Sequence, residues 1–467
     1  MNFNSWGFLV FFIVVLAFSS PLRRYSTLHK WILLLASWYF YASWNWHYLG
    51  LILFSTVFDY WIGIRFAATQ SPKRLIAFSV AVNLGVLAFF KYTNFLIATA
   101  NDVAAASGGQ FRFDALDILL PVGISFYTFQ SMSYTIDVYR GELKPRRSLL
   151  DYALFIAFFP QLVAGPIVRA TEFFSGLDNP VRIPSREVAS ALILIVFGMV
   201  KKVVFADSLA AATDLTWSDV EGSDPAGVLL AVYAFAFQIY FDFSGYTDIA
   251  IGIAVLFGFR FPQNFNYPYA ATSLQDFWRR WHMTLSRWLR DYLYVPLGGN
   301  RKGPTRTQAN LMLTMLLGGL WHGASWNFVV WGAIHGFWLV FERSVLARIP
   351  GWQSGTIPMT LIRWFVTFHI VCFAWIFFRA PDFATSTAVL RKIGSLFVGH
   401  GNFAPFHIFV VALAALLMLH LAGARYALKQ RIGEGPIWLH SCATIAAVLV
   451  LFLFAPQNTM PFIYFQF

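Results

Sequence analysis

Ten apolar runs, each long enough to cross or nearly cross the hydrocarbon core of a bilayer, dominate this chain. They lie at about 5–21, 31–46, 48–66, 75–99, 188–212, 226–258, 326–343, 357–378, 404–422 and 436–455. A helix needs roughly 20 residues to span a core of about 30 Å. Because backbone exposed to lipid must satisfy its own hydrogen bonds, these runs predict helices. The alternating segments of about ten residues that a membrane barrel needs do not occur.

The composition supports a membrane protein over a soluble one. A length of 467 residues suggests about three soluble domains. However, 58% of the residues are hydrophobic and 12% are charged, whereas about a quarter are charged in a typical soluble domain. We therefore predict one all-α integral membrane domain over 1–467, with about 10–12 transmembrane helices plus re-entrant segments.

The positive charge of the chain lies between the apolar runs. The net charge is +12, and the positive-inside rule accounts for it without a nucleic-acid partner. Basic connections at 22–30, 65–74, 140–147 and 279–306 are predicted to be cytoplasmic, and acidic stretches at 101–117 and 207–224 to lie outside. Cys372 and Cys442 sit in apolar segments without metal-ligand spacing, so neither a metal site nor a disulfide is expected.

Proline and glycine interrupt three apolar stretches, at 118–138, 153–168 and 308–325. Broken backbone at membrane depth is tolerated where it is buried in protein or lines a wet cavity. The three segments therefore predict re-entrant pieces around a site, with Ser125 and Gln130 as candidates to line it. Ordinary kinked spans are the alternative, since both residue types are common in membrane helices.

Residues 275–306 form the densest polar region and predict an amphipathic helix at the cytoplasmic interface. The cationic side chains of this region suit a ligand that carries phosphate or carboxylate. The candidates to contact such a ligand are five cations and one amide: Arg279, Arg280, Arg287, Arg301, Lys302 and Asn300. A phosphate loop is excluded because Pro304 follows Gly303 where the motif needs lysine. Simple anchoring to anionic lipid is the alternative.

The strongest single candidate for a catalytic residue is His322, which lies at the end of an apolar stretch. The segment that contains it, 308–336, is predicted to form a re-entrant piece followed by a transmembrane span. If 309–322 is helical it rises about 20 Å, which places an imidazole deep in the membrane. An ionisable group there indicates function, and imidazole suits acid–base work near neutral pH. A neutral histidine bonded to a facing helix is the structural alternative.

Two acids, Asp242 and Asp248, lie within the apolar span at 226–258. They suit a proton relay in a transporter, or they are structural partners for cations of the 279–306 loop. A nucleophile elbow, a zinc helix and a dinucleotide fingerprint do not occur in the sequence.

Six stretches resemble the bacterial polysaccharide branch of the membrane-bound O-acyltransferase superfamily. They are LPVGISFYTFQSMSYTIDVYRG (120–141), FFPQLVAGPIVR (158–169), YFDFSGYTDIAIG (240–252), FWRRWHMTLSRWLRDYLYVPLGGNRKG (277–303), GGLWHGASWNFVVWGAIHG (318–336) and PFIYFQF (461–467). The resemblance implies a ring of helices around a central tunnel. It places the essential histidine of the family at His322 and a second polar position, asparagine or histidine in many members, at His282. Further candidates to line the tunnel are Trp321, Tyr240 and Asp242.

The activity implied by the resemblance is the passage of acetyl groups from a cytoplasmic thioester across a bacterial inner membrane, for O-acetylation of an exopolysaccharide. His322 would be the general base and His282 would orient the reactants or stabilise the oxyanion; an acyl-histidine is the alternative. The donor would be cytoplasmic acetyl-CoA or an acetylated carrier, with no tightly bound cofactor or metal, and periplasmic acetyltransferases would be the partners. Alginate is the leading acceptor, with cellulose as an alternative, and a proton-coupled transporter is the rival from another class.

Overall fold

The computed structural model describes the whole chain except residues 25, 110, 164, 180–182, 400, 429–434, 456–459, 461 and 464–467. Every regular element in the described residues is helical. The chain divides into two compact units, one formed by 1–191 and 250–262 and the other by 192–249 and 263–467.

The first unit contains eight α-helices and the start of a ninth. They are α1 (Trp6–Ser19), α2 (Ser26–Ala42), α3 (Leu49–Arg65), α4 (Pro72–Ala106), α5 (Ile124–Arg140), α6 (Leu149–Ala157), α7 (Phe159–Leu162), α8 (Ala170–Asp178) and α9 (Ser185–Met199), of which α9 continues into the second unit. Short 3-10 turns occur at Pro21–Arg24 and Trp46–Tyr48. The centre of this unit is aromatic, because Phe158 packs against Phe173 and Phe259 with ring centroids 5.5 and 4.7 Å away.

The second unit contains the remaining helices. They are α10 (Asp207–Ser218), α11 (Pro225–Leu256), α12 (Leu274–Arg280), α13 (Met283–Leu289), α14 (Pro304–His322), α15 (Trp326–Ser344), α16 (Ile357–Arg379), α17 (Phe383–Leu396), α18 (His407–Tyr426) and α19 (Ile437–Phe454), with the end of α11 in the first unit. Two π-helical stretches, Val200–Ala206 and Arg290–Tyr294, continue α9 and α13, and 3-10 turns lie at Pro268–Ala270, Leu346–Arg348 and Ala404–Phe406.

The predicted all-α polytopic membrane fold is confirmed. Seven helical segments of the described residues are long and apolar enough to span a bilayer, and 6–19 and 438–454 are shorter apolar helices. This number is below the expected 10–12 because some apolar runs form helices that are too short. The runs at 5–21 and 31–46 yield α1 with 14 residues and α2 with 17.

Two of the three predicted interruptions occur where expected, and the third is displaced. In 118–138, helix α5 starts only after Gly123, whose φ of 75° is left-handed. In 153–168, α6 ends at Ala157 and only the four-residue α7 follows. In 308–325, by contrast, α14 runs unbroken to His322 and stops at Gly323, so the glycines at 318 and 319 lie inside a helix.

Those helical glycines allow α14 and α15 to pack backbone to backbone. A Cβ added to Gly319 would lie 2.2 Å from the Phe328 carbonyl oxygen, and one added to Gly332 would lie 2.4 Å from the Met315 carbonyl oxygen. Small residues permit this close approach between membrane helices. The two helices therefore form a hairpin that cannot accept a methyl group at its interface without moving backbone.

We expect Gly332→Ala to destabilise the protein by about 1–3 kcal/mol, because it overpacks the hairpin interface. Gly85→Ala is the matched control, since Gly85 lies within α4 and an added Cβ meets nothing within 4 Å. The control should be neutral or stabilising by up to about 1 kcal/mol, because alanine favours helix over glycine. Thermal unfolding in detergent measures both, and equal melting temperatures for the two variants would contradict the predicted interface.

Candidate active site

His322 is the last residue of α14 and is almost completely buried. Aromatic rings surround its imidazole: the ring centroids of Trp331 on α15 and Phe378 on α16 lie 5.0 and 5.3 Å away. The chain leaves α14 through Gly323, where a Cβ would lie 2.0 Å from the ring of Phe328. His322 is thus enclosed by its own helix and by α15 and α16, and a side chain at position 323 would have to displace the Phe328 ring.

His282 lies between α12 and α13, outside the seven candidate spans, and is fully buried. Its backbone is left-handed, with a φ of 40°. Its ring nitrogen Nδ1 is 3.1 Å from Asn264 Oδ1, and the Phe243 ring packs edge-on at 4.8 Å. Burial lowers the pKa of His282 to about 3, so the imidazole is neutral across the physiological range.

The two predicted catalytic histidines share one neighbour, Trp321. The Trp321 ring centroid is 6.1 Å from that of His282 and 5.0 Å from that of His322. Trp321 is itself buried. The structure therefore brings His282 close to Trp321 and His322, although His282 and His322 are 40 positions apart in sequence, and all three lie within the second unit.

A cavity of about 850 Å³ in the same unit is lined by five arginines and one glutamate. Two of the arginines, Arg279 and Arg287, were predicted to contact a donor. Of the other predicted donor contacts, Arg280 instead pairs with Asp276 at 2.9 Å, and Asn300, Arg301 and Lys302 are exposed in the loop before α14. None of these four is among the residues that line the cavity.

The other three cavity arginines, Arg290, Arg343 and Arg363, were not predicted to contact the donor. Arg363 carried a usable signal, because it interrupts the apolar run at 357–378 and an ionisable residue within a span indicates function. The cavity glutamate, Glu342, accepts hydrogen bonds from the Leu274 backbone N–H at 2.8 Å and from Trp338 Nε1 at 3.0 Å. It thereby ties the start of α12 to α15.

Asp242, a predicted tunnel residue, is held by an ion pair rather than facing cations of the 279–306 loop. Lys202 Nζ lies 2.6 Å from Asp242 and 2.7 Å from Asp207, and all three side chains are buried. The backbone N–H of Ile463 donates to Asp242 at 2.9 Å. Asp248 pairs similarly with Lys201 at 2.6 Å. The partners of these acids come from the π-helical stretch after α9, which corrects the expectation of partners in the loop.

The other predicted tunnel residues are also buried, in separate surroundings. Tyr240 packs edge-on against His420, with ring centroids 4.9 Å apart. Ser125 and Gln130 lie on α5 in the first unit, and the amide of Gln130 has no hydrogen-bond partner among the described residues. Of the matching stretch 461–467, only Phe462 and Ile463 fall within the described residues.

Comparisons with known proteins point to acyl transfer. Residues 142–379, which contain both histidines and all five cavity arginines, match the membrane-bound O-acyltransferase family. A protein of Azotobacter vinelandii named probable alginate O-acetylase is 39% identical, with both chains covered in full. A peptidoglycan O-acetyltransferase of Helicobacter pylori is 38% identical over 84% of this chain and 77% of its own. A teichoic acid D-alanyltransferase of Bacillus subtilis is 28% identical over 56% of this chain and 69% of its own.

Proposed function

The chain belongs to the membrane-bound O-acyltransferase family, and from that premise we propose that it transfers acetyl groups to hydroxyls of an exopolysaccharide, with alginate as the acceptor. It is a multi-pass membrane protein and an O-acyltransferase. The observation that carries the alginate proposal is the 39% identity to the Azotobacter relative along the full length of both chains. We place the enzyme in a bacterial inner membrane, where periplasmic acetyltransferases would receive or pass on the acetyl group.

His322 is the proposed general base of the transfer. It removes the proton from the acceptor hydroxyl while that oxygen attacks the carbonyl carbon of the acetyl thioester. The tetrahedral intermediate then collapses, the carbon–sulfur bond breaks, and the thiolate leaves and takes up the proton. Such a positioned base typically contributes about 10²–10⁴-fold to the rate. Burial of His322 among aromatic rings supports this role, because excluding water keeps the thioester from hydrolysis.

The arginine-lined cavity is the proposed site for the donor. Guanidinium groups bind phosphate through paired hydrogen bonds. The charged side chains that line the cavity are five arginines and one glutamate, and one of the arginines, Arg290, also pairs with Asp291 at 2.6 Å. Acetyl-CoA and a phosphopantetheine-bearing carrier both carry phosphate at one end of a pantetheine arm and the thioester at the other, so both fit this chemistry. The basic residues of 279–306 support a cytoplasmic position for the cavity, where such donors occur.

We expect Arg287→Gln to raise the KM for acetyl-CoA roughly 10- to 100-fold, because it removes charged hydrogen bonds worth about 1.5–3 kcal/mol. Arg301→Gln is the matched control, since Arg301 is exposed and lies outside the lining of the cavity. The control should change KM less than about twofold, as surface charges do when screened by salt. If both variants raise KM equally, the cavity is not the donor site.

The acceptor is tested by expressing the chain in an alginate-producing host that lacks its own acetylase. Ester-linked acetyl groups on the purified polymer, observed by NMR, are the expected result. Peptidoglycan is the second candidate acceptor because of the 38% identity to the Helicobacter enzyme. Acetylated muropeptides without acetylated alginate would replace the first proposal with the second, and acetyl groups on neither polymer would overturn both.

A further inference from the structure

We propose that Asn264 is a positioning residue that fixes the ring tautomer of His282, and that His282 in consequence acts as a hydrogen-bond acceptor in the reaction. The inference rests on the O-acyl transfer proposed above and deepens it. It decides between two roles for His282, orienting the acceptor hydroxyl or stabilising the oxyanion.

The orientation of the Asn264 amide follows from its contact with Thr284. The backbone N–H of Thr284, which can only donate, lies 3.1 Å from the atom assigned as Asn264 Oδ1. The Thr284 hydroxyl lies 2.9 Å from the same atom. A flipped amide would place an NH₂ group against that backbone N–H, so the facing atom must be the oxygen.

The tautomer of His282 follows from the orientation of that amide. Nδ1 of His282 lies 3.1 Å from Asn264 Oδ1. An amide oxygen has lone pairs and no hydrogen, so Nδ1 must carry the proton. In a neutral imidazole the lone pair then resides on the other nitrogen, Nε2. The contact with one amide oxygen thus determines which ring nitrogen can accept a hydrogen bond.

Main-chain hydrogen bonds hold these partners in register. The N–H of Met283 donates to the Asn264 carbonyl at 2.9 Å, and the N–H of Asn266 donates to the Arg280 carbonyl at 2.9 Å. The segment from 264 to 266 is therefore pinned on both sides of His282. Both side chains are buried, Asn264 at 1% and His282 at 0% exposure, so water does not compete for the contact.

Neutral His282 cannot donate a hydrogen bond from Nε2, which excludes it as the donor that stabilises the oxyanion. It can accept a hydrogen bond from the acceptor hydroxyl and aim that oxygen at the thioester. Other charged or titratable side chains on the elements around His282 are Tyr240, Asp242, Tyr246 and Asp248 on α11, Arg306 and His322 on α14, and Asp276, Arg279, Arg280 and Arg287 on its flanking helices. Asp242 and Asp248 are ion-paired with lysines and Asp276 with Arg280, and burial alone lowers the pKa of His282.

Two substitutions of Asn264 separate this role from a merely structural one. Asn264→Asp retains the oxygen that accepts from Nδ1, but its negative charge raises the pKa of His282. Protonated His282 cannot accept a hydrogen bond. We therefore expect Asn264→Asp to have a kcat near that of the wild type at high pH, with the acid limb of its kcat–pH profile moved to higher pH. Asn264→Leu removes the acceptor, and kcat should fall about 10- to 100-fold at every pH, as when other imidazole-orienting partners are lost. Equal losses in both variants, with no shift of the acid limb, would overturn the proposal.

The tautomer is also measured without any reaction. Nitrogen NMR of the full-length protein, labelled at histidine ring nitrogens in lipid membranes, reports which ring nitrogen is protonated. The His282 signals are those lost in His282→Asn. We expect the Nδ1–H form in the wild type and a mixture of forms in Asn264→Leu. An Nε2–H form in the wild type would overturn the inference, whereas the Nδ1–H form in a protein that acetylates no polymer would leave it standing and reject only the proposed function.

Discussion

His322→Ala is expected to lower acetyl transfer by about 10²–10⁴-fold, the usual contribution of a positioned general base. The substitution removes the one imidazole enclosed by Trp321, Trp331 and Phe378. The measurement is the transfer of labelled acetyl groups to exopolysaccharide in membranes that contain equal amounts of folded enzyme. The donor KM should change little, because His322 is not among the residues that line the arginine cavity.

His335→Gln is the matched control for that variant. His335 is also fully buried, and its ring lies 4.6 Å from that of Trp331, the same indole that packs against His322. Neither ring nitrogen of His335 has a hydrogen-bond partner among the described residues. We expect less than a tenfold loss of activity, since this histidine fills space rather than moving a proton. Unchanged acetylation in His322→Ala, or an equal loss in both variants, would reject His322 as the base.

Lys202→Met is expected to destabilise the second unit by about 3–5 kcal/mol. Lys202 is 1% exposed and forms ion pairs with two buried carboxylates, Asp207 and Asp242. Removing one partner of a buried ion pair leaves an uncompensated charge in a medium of low polarity, which is far more costly than replacing the whole pair. Thermal unfolding of the purified protein in lipid nanodiscs, followed by tryptophan fluorescence, measures the loss.

Lys201→Met, at the residue adjacent to Lys202, is the control for Lys202→Met. Lys201 is 21% exposed and pairs with one acid, Asp248, which is 5% exposed. Because one buried carboxylate rather than two loses its partner, we expect a smaller loss of about 1–3 kcal/mol. The triple variant Lys202→Met, Asp207→Asn and Asp242→Asn should recover most of the stability lost in Lys202→Met, because no buried charge remains. Equal destabilisation by the two lysine variants would show that side-chain volume, rather than charge, governs the effect.

The helices were predictable, and His322 and His282 could be singled out as candidates, because their signals are local. Hydropathy along a window of about 20 residues is sufficient to indicate a span, and His322 and His282 each stand in a short polar or glycine-rich context. The interruption expected within 308–325 falls at Gly323 rather than at Gly318 or Gly319, for a physical reason. Gly318 and Gly319 serve close helix packing rather than a turn, and only the position of α15 distinguishes the two uses.

The remaining parts of the candidate site depend on contacts between distant residues. Asn264 precedes His282 by 18 positions in an unremarkable loop, and nothing in its local sequence marks it as a partner of an imidazole. The ion pair of Lys202 with Asp242 spans 40 positions. Opposite charges in separate apolar runs admit many pairings, so the sequence left open both a proton relay and partners in the 279–306 loop. Arg343 and Arg363 join Arg287 in one cavity only once the helices are packed.

The left-handed backbone at His282 restricts which sequences can evolve at this position. A φ of 40° is unfavourable for most L residues, and among the side chains that tolerate it best are asparagine, aspartate and histidine. Variants in a saturation library at position 282 would accordingly have to meet two requirements. Each must tolerate the left-handed backbone in order to fold and be expressed, and each must also support catalysis. Few amino acids meet the first requirement. Laboratory evolution of a new acyl or acceptor preference will therefore proceed faster through the residues around His282 than through His282 itself.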